Sequence, residues 1–240
     1  MGLDARLRLA RLYLCTDTRE EQGDLAEFLA AAFMGGVDVV QIRQKDLKPE
    51  AELEALEIAR DAAMKHHGIV CVNDSAKLAG RFHADMLHLG QADGDSAAAR
   101  KHLHQWAILG RSTHSPDQVE QALADQDVDY LCVGPVYATS TKPDYPPVGL
   151  ELVRHAAQVA PVAQVESKPW FAIGGISLEN IDAVIAAGAR RVCVVRAITQ
   201  AADPQDAAHH LRRKLLDAWK ADPAMDRYIA QALSGAGPSR

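Results

Sequence analysis

Short apolar runs alternate with amphipathic stretches from one end of the chain to the other. Apolar or β-branched residues cluster at 9–15, 37–42, 69–72, 86–89, 107–109, 129–133, 170–173 and 192–195. Runs apolar at most consecutive positions, rather than at every second one, suit parallel strands covered on both faces. Between them apolar residues recur at helical spacing, as in Leu25, Leu29, Ala32 and Phe33, or Leu53, Leu56, Ala59 and Ala63. Helix punctuation falls in the expected places. Gly35-Gly36 stops one helix, Pro49 opens the next and Gly68 closes it, and Ser115-Pro116-Asp117 reads as a capped helix start. Eight strand–helix units predict an α/β fold, a (β/α)8 TIM barrel forming a single domain over residues 1–220. Residues 221–240, ending in Ser-Gly-Ala-Gly-Pro-Ser-Arg, read as a frayed C-terminal extension. A doubly wound sheet would alternate similarly with fewer strands; the barrel is preferred because the unusual polar residues all follow strands.

The stretch 37–46, VDVVQIRQKD, is the clearest example of that placement. Gln41, Arg43 and Lys45 alternate and so share one strand face. An amide and two cations in phase line a pocket for an anion better than they build a core; the bland alternative is a solvated strand end. Gly174-Gly175 follows the seventh run directly and precedes a helix, where bare backbone lets N–H groups approach a phosphate. Barrels often hold phosphate after strands seven and eight, which adds the backbone at Val195 and Arg196. The alternative there is a tight turn. Asp74 and Asp93 follow the third and fourth runs, and two carboxylates beside cations suit a Mg²⁺ shared with a polyphosphate; the alternatives are a helix cap and a surface acid. The loop 137–143 carries Thr139, Thr141 and Lys142, two hydroxyls and an ammonium able to hold a phosphate, or else a solvated turn.

Bulk composition narrows the setting. Over 240 residues the formal net charge is −6, so the protein as a whole offers nothing to nucleic acid or an anionic membrane, and any cationic site is local. No apolar run approaches the length of a membrane span. Cys15, Cys71, Cys132 and Cys193 each sit inside an apolar run, without metal-ligand spacing or disulfide density, and read as reduced thiols of a cytoplasmic protein. No nucleophile elbow, Walker loop or dinucleotide fingerprint is present.

Six segments in order resemble thiamine phosphate synthases: QIRQKD (41–46), VND (72–74), HLGQAD (88–93), GRSTHS (110–115), GPVYATSTK (134–142) and IGGI (173–176). The resemblance implies a Mg²⁺-dependent transferase that joins a hydroxymethylpyrimidine diphosphate to a thiazole phosphate, releasing pyrophosphate. It assigns Gln41 and Ser112 to the pyrimidine, and Arg43, Lys45, Asn73 and Lys142 to the diphosphate, with Arg43, Lys45 and Lys142 as the catalytic cations. Asp74 and Asp93 would bind Mg²⁺. Thr139, Thr141, Gly175 and the backbone at Val195 and Arg196 would hold the thiazole phosphate. The implied partners are small phosphorylated substrates. A homodimer is compatible with the resemblance, though the sequence shows no interface. The chain departs from the family in Gln44, often Glu, and in Arg196, commonly a small residue. The competing expectations are a thiazole tautomerase-like relative and a non-catalytic barrel that binds phosphorylated metabolites.

Overall fold

The computed structural model describes residues 1–139 and 146–235. Thr141 and Lys142 therefore lie outside the described residues. The eight apolar runs become β1 (Leu12–Thr16), β2 (Val39–Ile42), β3 (Ile69–Asn73), β4 (Met86–Leu89), β5 (Ile108–Thr113), β6 (Tyr130–Val133), β7 (Trp170–Ile173) and β8 (Val192–Val194). All pair in parallel and in sequence order, and β1 also pairs with β8 to close the barrel. The helices among the described residues are α1 (Leu3–Leu9), α2 (Leu25–Met34), α3 (Pro49–His66), α4 (Ala76–Phe82), α5 (Ser96–Arg100), α6 (Pro116–Ala124), α7 (Gly149–Val159), α8 (Ile181–Ala186), α9 (Arg196–Thr199), α10 (Pro204–Lys220) and α11 (Ala224–Ser234).

Strand alternation divides the core into two. One set, including Leu12, Leu14, Val40, Val72 and Leu87, packs outward against the helices. The other, including Tyr13, Cys15, Cys71, Tyr130, Cys132, Phe171 and Cys193, fills the barrel interior. There Phe171 meets Tyr13 and Tyr130 edge-on, with ring centroids 5.4 and 6.0 Å away. Such contacts contribute ~0.5–1.5 kcal/mol each beyond burial. The expected cap holds: Ser115 Oγ accepts from Gln118 N at 3.3 Å, with Pro116 opening α6. All four cysteines are free and buried, and no described helix is long and apolar enough to cross a membrane.

Four local expectations are corrected. The run at 9–15 is divided, because Leu9 ends α1 and β1 begins only at Leu12; Leu3 and Leu7 of α1 pack with Ala10 against the barrel interior. β2 stops at Ile42, so strict face alternation does not extend to Lys45. β5 continues to Thr113, where Ser112 Oγ meets His88 and Thr113 Oγ1 donates to Cys132 O at 3.0 Å. Finally, the tail is not frayed through residues 224–234. Met225, Tyr228 and Ala232, at helical spacing, pack on Trp219 and on Val165 from the 162–168 segment. Tyr228 Oη also receives a hydrogen bond of 2.8 Å from the buried Arg191. The Gly/Pro/Ser-rich terminus had obscured this short amphipathic face.

Candidate active site

A cavity of about 370 Å³ opens where the strands end, within the size range of small-ligand sites. Gln41, Arg43, Asn73, Asp74 and Ser112 line it from the β2, β3 and β5 side. Thr139, Gly175, Val195 and Arg196 line it from the loops after β6, β7 and β8. Residues separated by more than half the chain thus share one space. Lys45 and Asp93 are not among the lining residues. Lys45 stands exposed three residues past the end of β2, and its neighbour Asp46 turns the chain with φ 60°. The Asp93 carboxylate folds back to accept from Gly90 N at 2.7 Å.

The floor of the cavity is polar and is built without a carboxylate, a lysine or an arginine. Gln41, His88 and Ser112 are almost wholly buried. His88 Nε2 lies 2.9 Å from Ser112 Oγ and its Nδ1 lies 2.9 Å from Tyr130 Oη. Gln41 Nε2 donates to Tyr13 Oη at 2.8 Å, while Cys15 Sγ donates to Gln41 Oε1 at 3.3 Å. Burial pushes both phenols well above their usual range, the Cys71 thiol up to about 12, and Cys193 upward as well. At neutral pH the floor therefore carries no ionised phenol, nor any thiolate at these two cysteines.

The walls carry the charge. Arg43 N donates to Thr16 O at 2.7 Å, which ties its backbone to β1. Its guanidinium has no ion-pair partner among the described residues. Asp74 adopts φ 59°, and the capping role open to it is filled instead by Ser75, whose Oγ accepts from Leu78 N. Glu52, half-buried on α3, has its carboxyl pushed up by burial first and by the negative charge of Asp74 second. Among the described residues no group of three or more His, Cys, Asp or Glu side chains is placed to hold a metal ion.

The glycine loop is fastened to the loop after β6. Val136 N and Tyr137 N donate to the carbonyls of Ile173 and Gly174, and Asn180 Nδ2 donates to that of Gly175. With those carbonyls engaged, the amides are what the loop can offer a ligand. Gly174 and Gly175 have φ 105° and 64°, and a Cβ on either would meet Pro135 Cα at 2.5 Å or Tyr137 Cβ at 2.7 Å. Across the cavity, α9 starts at Arg196, where the first N–H groups have no intrahelical acceptor. Arg196 itself is exposed at the rim.

Sequence reasoning missed Tyr13, His88 and Tyr130. Their signal was period-two polarity inside apolar runs, as in Met86-Leu87-His88-Leu89, which apolarity counts overlook. His114 also lines the cavity, with Nδ1 against Gly134 O. Gln44 accepts from Thr18 N and Oγ1, joining the β1 and β2 loops away from the floor.

Fold and cavity together define a TIM barrel with a polar-walled cavity at the C-terminal ends of its strands. The thiamine monophosphate synthase family model matches residues 12–198. Thiamine-phosphate synthases of Saccharopolyspora erythraea and Thermobifida fusca are 51% and 50% identical over 219 and 216 residues. The alignments cover 89% and 90% of this chain and 96% and 97% of those proteins. The solved thiamine phosphate pyrophosphorylase of Pyrococcus furiosus superposes with a TM-score of 0.77 at 27% identity, covering 89% of this chain and 98% of that one. The chain belongs to the thiamine monophosphate synthase family, and with it to the transferases.

Proposed function

We propose that the protein couples 4-amino-2-methyl-5-hydroxymethylpyrimidine diphosphate to thiazole phosphate, giving thiamine phosphate and pyrophosphate. The observation that carries this reading is the division of one cavity into a hydrogen-bonding floor, a cationic wall at Arg43, and two amide-bearing loops at Gly175 and Val195-Arg196. The floor suits an uncharged heteroaromatic ring held by Gln41 and Ser112. Arg43 and Asn73 meet the diphosphate from the cavity wall, and Lys45, exposed past the end of β2, and Lys142 complete the cations that the resemblance implies. Thr139, Thr141, Gly175 and the Val195-Arg196 backbone hold the second phosphate.

The reaction is dissociative. The bond from the pyrimidine methylene carbon to the diphosphate oxygen breaks, and its electron pair leaves with pyrophosphate. The aminopyrimidine ring delocalises the resulting positive charge, and the thiazole nitrogen lone pair closes the new C–N bond. That nitrogen loses no proton, so no general base is needed. Catalysis consists of alignment and of cations stabilising the departing charge. The floor serves this chemistry in a second way: a thiolate beside a carbocation would capture it, and burial keeps Cys71 and Cys193 protonated.

Asp74, which lines the cavity, would hold a Mg²⁺, and Asp93 would join it only by releasing Gly90 N, onto which its carboxylate is folded. When bound, the ion neutralises charge on the departing diphosphate. The test is turnover with both substrates, followed as thiamine phosphate by chromatography. Activity should be lost with EDTA and restored by Mg²⁺. Full activity in EDTA would refute the metal assignment, and absence of product under every metal condition would refute the reaction.

A further inference from the structure

The floor residues form one hydrogen-bonded line across the barrel interior. It runs from Gln41 Nε2 to Tyr13 Oη (2.8 Å), Tyr130 Oη (3.4 Å), His88 Nδ1 (2.9 Å), and then from His88 Nε2 to Ser112 Oγ (2.9 Å). The middle of this line is possible only because β5 carries Gly110. His88, Gly110 and Tyr130 stand in register on β4, β5 and β6. A Cβ on Gly110 would lie 2.0 Å from the Tyr130 ring. The missing side chain lets β4 and β6 touch across an intervening strand.

With His88 neutral and every link kept, a line of hydroxyls and one imidazole runs in one of two directions. In the first, the amide donates to Tyr13, Tyr13 to Tyr130, and Tyr130 to a bare His88 Nδ1. His88 then donates from Nε2 to Ser112, whose hydroxyl proton remains for a ligand, and Gln41 shows its carbonyl oxygen. In the second, every donor is reversed: Gln41 would show its NH₂ and Ser112 only lone pairs. The two ends cannot change independently. The structure holds the first direction at the Gln41 end, where Nε2 donates to Tyr13 Oη. Cys15 donates to Gln41 Oε1, and Cys71, donating to Val72 O at 3.4 Å, leaves its lone pairs for Gln41 Nε2 at 3.6 Å.

We propose that Tyr130 is a positioning residue that, through His88 and Tyr13, locks Gln41 as hydrogen-bond acceptor and Ser112 as donor, so that the floor accepts an aminopyrimidine and rejects its oxo counterpart. An exocyclic amino group donates to Gln41 Oε1 and a ring nitrogen accepts from Ser112. An oxo group in the amino position sets two acceptors face to face, and Gln41 cannot turn over to relieve them without reversing the whole line. This specificity rests on the aminopyrimidine reading of the cavity, but the direction of the line does not.

Two measurements test it. Imidazole ¹⁵N NMR of the ligand-free protein, with His88 assigned as the signal lost in His88→Gln or displaced in Tyr130→Phe, should show protonated Nε2 and bare Nδ1. Steady-state kinetics should show that the wild type prefers the 4-amino over the 4-oxo pyrimidine diphosphate by more than ~100-fold. Tyr130→Phe should narrow that preference by ~10-fold or more and scramble the tautomer. Should Tyr130→Phe fail to fold, Tyr13→Phe serves: it should relax the preference while leaving Nε2 protonated. A protonated Nδ1 on His88 overturns the proposal. So does an unchanged preference in a folded Tyr130→Phe or Tyr13→Phe variant. If the wild type turns over neither diphosphate, the substrate reading fails and the tautomer alone decides the relay.

Discussion

Replacing Gly175 by alanine tests how closely the glycine loop is built. The residue sits at φ 64°, where an L side chain costs ~1–2 kcal/mol. Its new Cβ would lie 2.7 Å from Tyr137 Cβ and 2.9 Å from Ala138 O. Carbon pairs rest at about 3.5–4.0 Å, so one loop must withdraw by roughly 1 Å. The moving partner is the loop after β6, which carries Thr139 into the cavity and is tied to the glycine loop through Tyr137 N and Gly174 O. Displacement of that size costs up to about 100-fold in rate when it misplaces a reacting group. Gly175→Ala should therefore lose ~10–100-fold in kcat/KM for the thiazole phosphate, and ~1–3 kcal/mol of stability. The KM for the pyrimidine diphosphate should change much less. The assay is steady-state kinetics with each substrate varied in turn, alongside urea unfolding. A variant with wild-type stability and wild-type KM for the thiazole phosphate would refute the reasoning.

Other substitutions probe other parts of the molecule. Arg43→Ala should lower kcat by about 100-fold or more, since it removes a cation from the leaving group; a normal rate with intact circular dichroism would remove Arg43 from the diphosphate site. Ending the chain at Ala221 strips Tyr228 and Met225 from Trp219 and Arg191 and should cost about 3–5 kcal/mol in urea unfolding, whereas a frayed tail would cost nothing. Glu52 provides a pH test. Its carboxyl is held above the usual value by burial and Asp74, so the folded state binds the proton more tightly and stability falls as pH rises through the raised pKa. Glu52→Gln should thus stabilise the protein at neutral pH but not below the ordinary carboxylate range, and Asp74→Asn should lower the Glu52 pKa in a carboxyl NMR titration.

The fold was legible because each β-strand contains a short, mainly apolar run set between helix caps and glycines. Its eight strands follow from patterning alone, to within a few residues. The cavity walls were legible for a related reason: Arg43, Asp74, Ser112 and Gly175 follow strands, where a barrel gathers its loops. What stayed hidden depends on contacts between distant segments. Tyr13 and Tyr130 look like ordinary core aromatics until the barrel closes and their hydroxyls meet. Gly110 has no meaning in sequence, since its purpose is to leave room for a ring on the next strand. Lys45 and Asp93 shared the alternation and the motifs of their neighbours. Yet one stands past the end of its strand, and the other turns its carboxylate onto the local backbone. The helix α11 went unread because its apolar residues pack on Trp219 and Val165, neither of which lies nearby in the 224–234 segment.

The central claim is that one cavity holds both substrates and joins them. A single-turnover experiment tests it most directly: enzyme in excess over the pyrimidine diphosphate, with Mg²⁺, quenched with and without thiazole phosphate. Thiamine phosphate and pyrophosphate should appear together in equal amounts when both ligands are present. Pyrophosphate released without matching thiamine phosphate in that mixture, or thiazole phosphate bound without any chemistry, would contradict it.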